Sequence, residues 1–275
     1  MKFIKYFIQY LLAITSFFIF KILGANFASK LSGKIFEKIG PHFRSKKVIH
    51  SNIKRAFPNI NEKNLKKIET SMWNNYGRVF AEYMFMKNFR SGNLASNITI
   101  EGEEILDELK KNKKQVVFIS GHLSNFELMA MNLEKKGINL ATIYRPLNNI
   151  FLNKIMEKIR KKYICKNQIK KGVGGLKNLM KLKRKNFSTA LMIDQRVSEG
   201  ILSNFFNKKA LTTSIPAQLV KKFNIPIVPI YIERVDGLKF KIYINEPVFF
   251  SKETSIKTIT DELNKILEKM VIKKP

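Results

Sequence analysis

Gln115-Val116-Val117-Phe118-Ile119-Ser120 runs directly into Gly121-His122-Leu123-Ser124-Asn125-Phe126-Glu127. The first six residues form a short run rich in β-branched and aromatic side chains. Such a run ending at a glycine reads as a buried strand that delivers a histidine to a sheet edge. The carboxylate five residues on, Glu127, is expected to hold that imidazole in one tautomer. A histidine oriented by a carboxylate is a general-base device. No protein nucleophile stands out beside it, so a substrate hydroxyl is the expected nucleophile.

The spacing restricts the geometry. On one helix, residues five apart are offset by about 140° and their side chains diverge. The pair can meet only if His122 lies in a turn and Glu127 in the first turns of the next helix. Ser124 and Asn125 are good N-caps for that helix, predicted over 125–136. The other two histidines, His42 and His50, lie in a basic, helix-like region with no partner in view. Both read as surface residues.

Outward from this stretch, strand and helix patterns alternate. Strands are predicted at 97–101, 115–120, 139–144, 188–193, 227–235 and 239–245. Helices are predicted near 103–111, 125–136, 149–163, 173–183, 213–223 and 256–271. Strands separated by helices argue for an α/β fold with a largely parallel sheet sandwiched by helices. Val235-Asp236-Gly237-Leu238 is a hairpin signal between the last two strands, so the sheet is expected to be mixed. Ligands in such folds gather at the carboxyl ends of strands. His122, Arg145 and Asp194 each follow a predicted strand, which puts three chemically useful side chains at one edge. Gly172, Gly174 and Gly175 do not form a nucleotide loop: the Gly-x4-Gly-Lys-Ser/Thr pattern is missing and no clear strand precedes them.

Before the sheet, apolar residues from Leu65 to Met84 recur every three or four positions within 61–87. That is a helix with an aromatic stripe of Trp73, Tyr76, Phe80 and Tyr83, read as core packing or as the wall of an acyl-chain groove. The N-terminal segment 3–23 is mostly apolar and aromatic, about one bilayer span long. A membrane anchor, an interfacial helix, a cleaved signal peptide and a buried core helix all match it in length. Lys21 sits awkwardly for a signal peptide, and Lys30, Lys34, Lys38, Arg44, Lys46 and Lys47 follow the segment. A retained anchor or interfacial helix is therefore expected, with the downstream part in the cytoplasm. The expected division is 1–23 anchor or interfacial helix, 24–96 helical section and 97–275 catalytic α/β unit.

A chain of 275 residues can build one sizeable core, or at most two small ones, and its 45% hydrophobic content argues against disorder. Its formal charge of +30 calls for anionic partners such as a bilayer, an acidic protein or a phosphorylated substrate. Nucleic acid would explain the charge, but neither the apolar N-terminus nor the His-x4-Glu stretch, and is not expected as a partner. The single Cys165 excludes an internal disulfide. No set of His, Cys and carboxylates has zinc spacing. A hydrolase using Ser124 lacks the Gly-x-Ser-x-Gly elbow, and Ser124 is too close to His122 along the chain for an ordinary triad.

Four segments resemble the lipid A biosynthesis lauroyl/myristoyl acyltransferase family, within the wider His-x4-Asp/Glu acyltransferases. They are Gly121 to Glu127; Tyr144-Arg145-Pro146 with Asn148-Asn149; Met192-Ile193-Asp194-Gln195; and Phe205-Phe206 through Ala210 with Thr212-Thr213 and Pro216-Ala217. The likeness covers nearly the whole chain. In the fourth segment Asn207 and Lys209 stand where the family usually has Gly and Pro; Asn tolerates a left-handed backbone, so the turn can survive. The resemblance implies transfer of a fatty acyl group from an acyl-carrier-protein thioester, or from coenzyme A, to a hydroxyl of a lipid A precursor. His122 would act as general base and Glu127 as its partner, with Arg145, Asp194, Gln195 and Asn125 as substrate-binding residues. It implies no metal and no cofactor. Implied partners are an acidic acyl carrier protein, anionic membrane lipid and a phosphorylated glycolipid acceptor. The implied location is the cytoplasmic face of the inner membrane. The same transfer onto another glycolipid or phospholipid stays open.

Overall fold

The computed structural model describes residues 2–273, leaving aside the side chains of residues 173 and 176; the first residue and the last two residues of the expected segments lie outside it. The helices are α1 (Lys2–Leu23), α2 (Ala25–Ile39), α3 (Lys46–Ala56), α4 (Glu62–Glu82), α5 (Met86–Ser91), α6 (Glu103–Lys111), α7 (Glu127–Lys135), α8 (Ile150–Ile159), α9 (Val173–Arg184), α10 (Ile215–Phe223) and α11 (Ile256–Lys273). The strands are β1 (Ile98–Glu101), β2 (Val117–Ser120), β3 (Leu140–Tyr144), β4 (Asn167–Lys170), β5 (Ser188–Met192), β6 (Ile201–Phe205), β7 (Lys208–Thr212), β8 (Ile227–Asp236) and β9 (Lys239–Ile244).

Seven strands form one sheet in the order β1-β9-β8-β2-β5-β3-β4. From β8 to the β4 edge the pairs, β8 with β2, β2 with β5, β5 with β3 and β3 with β4, are all parallel. The expected hairpin joins β8 to β9 antiparallel, with Gly237 taking a left-handed φ of 48° in the turn. The α/β reading with a mixed, mostly parallel sheet therefore holds.

Side-chain alternation along the strands makes two cores. Phe118, Leu140, Ile230 and Phe240 face α5, α6, α7 and the N-terminal helices. Val117, Ile119, Leu191 and Tyr231 face α9, α10 and α11. On the first side, α2 and α4 approach closely at a small residue: a Cβ on Gly77 would collide with the Ser32 carbonyl.

Some expectations need correction. A strand, β4, does precede the glycines at 172–175, and it forms the sheet edge beside β3. The fourth motif segment runs from the turn of a hairpin, β6–β7, outside the main sheet, into the start of α10. Phe206 and Asn207 have φ of 46° and 57°, so Asn207 does take the left-handed turn expected of it. The predicted helix 149–163 ends early as α8 and continues as a π turn, Arg160–Ile164. His50 is not a bare surface residue; its Nε2 lies 3.0 Å from Glu69.

The N-terminal helix α1 is long and apolar enough to cross a membrane. It buries only Ala13, Phe17 and Phe20, while Phe3, Ile4, Ile8, Leu12, Phe18 and Ile22 stay exposed. Phe3, Phe7 and Tyr10 surround the Phe151 ring of α8 at one end, and Phe17 and Phe20 pack on Phe80 of α4 at the other. Asn149 donates to the Tyr6 carbonyl at 2.8 Å.

Candidate active site

The four parallel strands β2, β3, β4 and β5 present their carboxyl ends on one side of the sheet. The residues that follow them there are His122, Arg145, Lys171 and Asp194. Sequence order placed three of these at the edge; Lys171 was missed because β4 was missed.

His122 and Asp194 are neighbours for a topological reason. Ser120 of β2 pairs with Met192 of β5, and the ladder continues through the Ile193 N–H to the Ser120 carbonyl at 2.9 Å. Two residues beyond that pair on each strand stand the imidazole and the carboxylate. His122 Nδ1 lies 2.7 Å from Asp194 Oδ1, and the His122 backbone N–H donates to Oδ2 at 3.0 Å. Both side chains keep about a third or less of their surface exposed, 31% and 27%. With Nδ1 committed to a carboxylate, the tautomer with the proton on Nδ1 leaves Nε2 as a proton acceptor. The Phe126 ring meets the imidazole edge-on at 4.6 Å and limits its rotation.

Glu127 is not the carboxylate that holds His122. Its Oε1 accepts from the Tyr83 hydroxyl, from Arg160 Nε at 2.9 Å and from Arg160 Nη2 at 2.5 Å. Glu127 opens α7, as predicted, but its side chain turns toward the π turn that carries Arg160. π turns often occur at functional sites. Burial, then the Glu127 charge, pushes the Tyr83 phenol well above its ordinary pKa, so it stays a donor. Burial alone would lower the pKa of the Arg160 guanidinium; the charge of Glu127 overrides it, and the cation is held more firmly than usual. Tyr83 was visible in the sequence only as part of an aromatic stripe. Arg160 gave no signal, since its meeting with Glu127 depends on the π turn.

Asn125, expected among the substrate-binding residues, is turned inward. It is fully buried, and its amide donates to Glu82 Oε2 at 2.8 Å. Neither it nor Ser124 caps α7 with its side chain; the position before the helix is Phe126. Ser124 has φ of 49°, a strained value for a residue with a Cβ.

A cavity of about 480 Å³ opens at this edge. Phe118, Met129, Ala130, Leu133, Ile164 and Ile230 form its buried apolar wall. Arg145, Asn148, Lys171, Gln195 and Arg196 stand at its exposed rim. His122, Glu127 and Arg160 lie along the same cavity. Behind the rim, Tyr144 donates to Glu157 at 2.6 Å. Hydrogen bonds from Tyr144, Asn153 and Lys170 hold the Glu157 carboxyl down at about 2 against the opposing effect of burial. Among the described residues, no three His, Cys, Asp or Glu side chains gather where they could hold a metal ion.

The arrangement suits proton removal from a hydroxyl next to an apolar slot with a cationic entrance. A protein-family model described as bacterial lipid A biosynthesis acyltransferase matches residues 1–275. A search of the curated proteins finds no match.

Proposed function

The chain belongs to the bacterial lipid A biosynthesis acyltransferase family, and is an acyltransferase; we propose that it moves a fatty acyl group from an acyl-carrier-protein thioester to a hydroxyl of a lipid A precursor, with His122 as general base. The observation that carries the catalytic reading is the double hydrogen bond between His122 and Asp194 at the edge of an apolar cavity. In this reading Nε2 takes the proton of the acceptor hydroxyl. The new alkoxide attacks the thioester carbon, and the tetrahedral intermediate collapses. The C–S bond breaks, an ester forms, and the proton passes from His122 to the departing thiolate.

Asp194 fixes the imidazole and balances its positive charge while the proton is held. Arg160, locked against Glu127, offers a fixed cation to the oxyanion of the intermediate. Glu127 thus serves the site through Arg160. The buried apolar wall takes the acyl chain. The rim cations Arg145, Lys171 and Arg196 meet phosphate on the donor or on the acceptor, and Gln195 lies among them.

The family and the apolar α1 point to membrane association. The attachment of α1 to the body at both of its ends supports a helix lying along the membrane with its bare apolar face in lipid. The basic residues that follow support the cytoplasmic face of the inner membrane, where the thioester donor and an acidic carrier would be met.

Mass spectrometry of lipids from cells with and without the gene tests the assignment. Loss of one acyl group from lipid A is expected when the gene is removed. Unchanged lipid A with an altered phospholipid or other glycolipid would assign a different acceptor.

A further inference from the structure

Glu82 is fully buried at the end of α4, far along the chain from the catalytic turn, and every partner it has is charged or polar. Oε1 accepts from Ser29 of α2 at 2.8 Å and from Arg234 Nη1 at 2.6 Å. Oε2 accepts from Asn125 of the catalytic turn at 2.8 Å and from Arg234 Nη2 at 3.1 Å. The guanidinium and carboxylate thus meet fork to fork, the strongest arrangement for such a pair. Asn75 lies seven residues before Glu82, two turns back on the same face of α4. Its Oδ1 accepts from Arg234 Nη2 at 3.2 Å, and its amide donates to the Ser124 carbonyl at 3.1 Å.

Two adjacent residues of the turn are therefore gripped from α4, Ser124 through its carbonyl and Asn125 through its side chain. They are the middle two of the four residues between His122 and Glu127. Ser124 is the one with the strained left-handed backbone, and strain of that kind persists only where the surroundings hold it. Arg234 is itself fixed by a bond to the Gly237 carbonyl at 2.8 Å and by the Phe240 ring at 4.6 Å.

We propose that Glu82, Asn75 and Arg234 form a positioning clamp that sets the Ser124–Asn125 backbone, and through it the placement of His122 and Glu127 against the cavity. The inference rests on the acyl-transfer reading of His122. None of the three touches the substrate; they act on the turn. A clamp of this kind changes turnover, because misplacing reacting groups by about 1 Å can cost roughly 10²-fold in rate. Binding of the acyl chain, which uses the apolar wall, is left alone.

Asn75 offers the sharpest test because it is half-buried and can be changed without emptying the core. Asn75→Asp keeps an acceptor for Arg234 but cannot donate to the Ser124 carbonyl. Asn75→Ala removes both bonds. Ser29→Ala removes the outer bond to Glu82 and the one that Ser29 Oγ accepts from Arg78, and leaves both bonds of Asn75 in place. The full-length protein in detergent micelles is assayed for kcat and KM, and its three histidines are followed by NMR of labelled imidazoles. The clamp predicts a loss of kcat of roughly 10²-fold in both Asn75 variants with KM unchanged. It predicts a shifted His122 signal with His42 and His50 unmoved, and Ser29→Ala like the wild type. Asn75 variants with full kcat and an unmoved His122 signal would overturn it, as would an equal loss in Ser29→Ala. If the wild-type protein transfers no acyl group, the function assigned to His122 falls. The NMR shift then decides the clamp alone.

Discussion

His122 and Asp194 stand two residues beyond Ser120 and Met192, which pair on adjacent parallel strands, and the carboxylate grips both the imidazole and the backbone N–H of the histidine. Seventy-two residues separate them in sequence. Strand order alone brings them together.

Asp194→Asn is therefore expected to lower kcat by roughly 10² or more, because an amide cannot balance the imidazolium formed during transfer. KM for the thioester donor should stay near the wild-type value, since the acyl wall is untouched. Steady-state kinetics on the purified variant decide this. Full turnover in Asp194→Asn with none in Glu127→Gln would move the orienting role back to Glu127.

Glu127 and Arg160 are a buried pair, with side chains 6% and 16% exposed. Removing one partner of such a pair leaves an uncompensated charge and costs about 3–5 kcal/mol. Arg160→Met should lower unfolding stability by that order, measured in denaturant. The double variant Glu127→Gln with Arg160→Met should recover part of the stability and none of the activity. A single variant as stable as the wild type would contradict the pairing.

Much of this site was legible before the fold was known, and the rest was hidden for specific reasons. His122, Arg145 and Asp194 were placed at one edge because each follows a strong apolar run. Glu127 was matched to His122 by proximity in sequence, but the strand pairing offers His122 a nearer carboxylate. β4 was missed because Asn167-Gln168-Ile169-Lys170 carries a single buried apolar residue, as an edge strand can. β6 and β7 were missed because they leave the main sheet and hold their hairpin through Asn264 of α11 instead. That amide donates to Ser203 Oγ at 2.9 Å and to the Asn204 carbonyl at 2.8 Å. Asn125 looked like a polar cap because its partner, Glu82, lies in a different part of the chain.

Lys183 makes a separate prediction about stability. It is 1% exposed, its Nζ has no hydrogen-bond partner among the described residues, and the Phe223 ring lies 5.8 Å away. Burial lowers its pKa to about 8. The unfolded chain therefore binds the proton more tightly than the folded one. Stability should rise with pH between about 8 and the ordinary lysine value, and the penalty is fully present below about 8. Lys183→Met should stabilise the protein at neutral pH by the order of 2–3 kcal/mol. The gain should vanish once both states are deprotonated, near pH 11 and above. Thermal unfolding at both ends of that range checks the sign; a gain that grows with pH would contradict it.

Ala130 lies on the apolar wall one helical turn beyond Glu127, and is nearly buried. Ala130→Phe should shorten the preferred acyl chain. Each excluded methylene loses about 0.8 kcal/mol, about fourfold in binding. Competition between thioesters of graded length reads the shift, with the unfolding temperature checked for overpacking. An unchanged preference in a folded variant would place the acyl chain elsewhere.

The most direct measurement is acyl transfer in vitro by the full-length protein and by His122→Ala, with an acyl-carrier-protein thioester and a lipid A precursor in mixed micelles. The wild type is expected to form the ester product and release the carrier thiol in equal amounts. His122→Ala, with its fold intact by circular dichroism, should fall by roughly 10²–10⁴ in rate. Transfer by His122→Ala at the wild-type rate would contradict the general-base role at the centre of the mechanism.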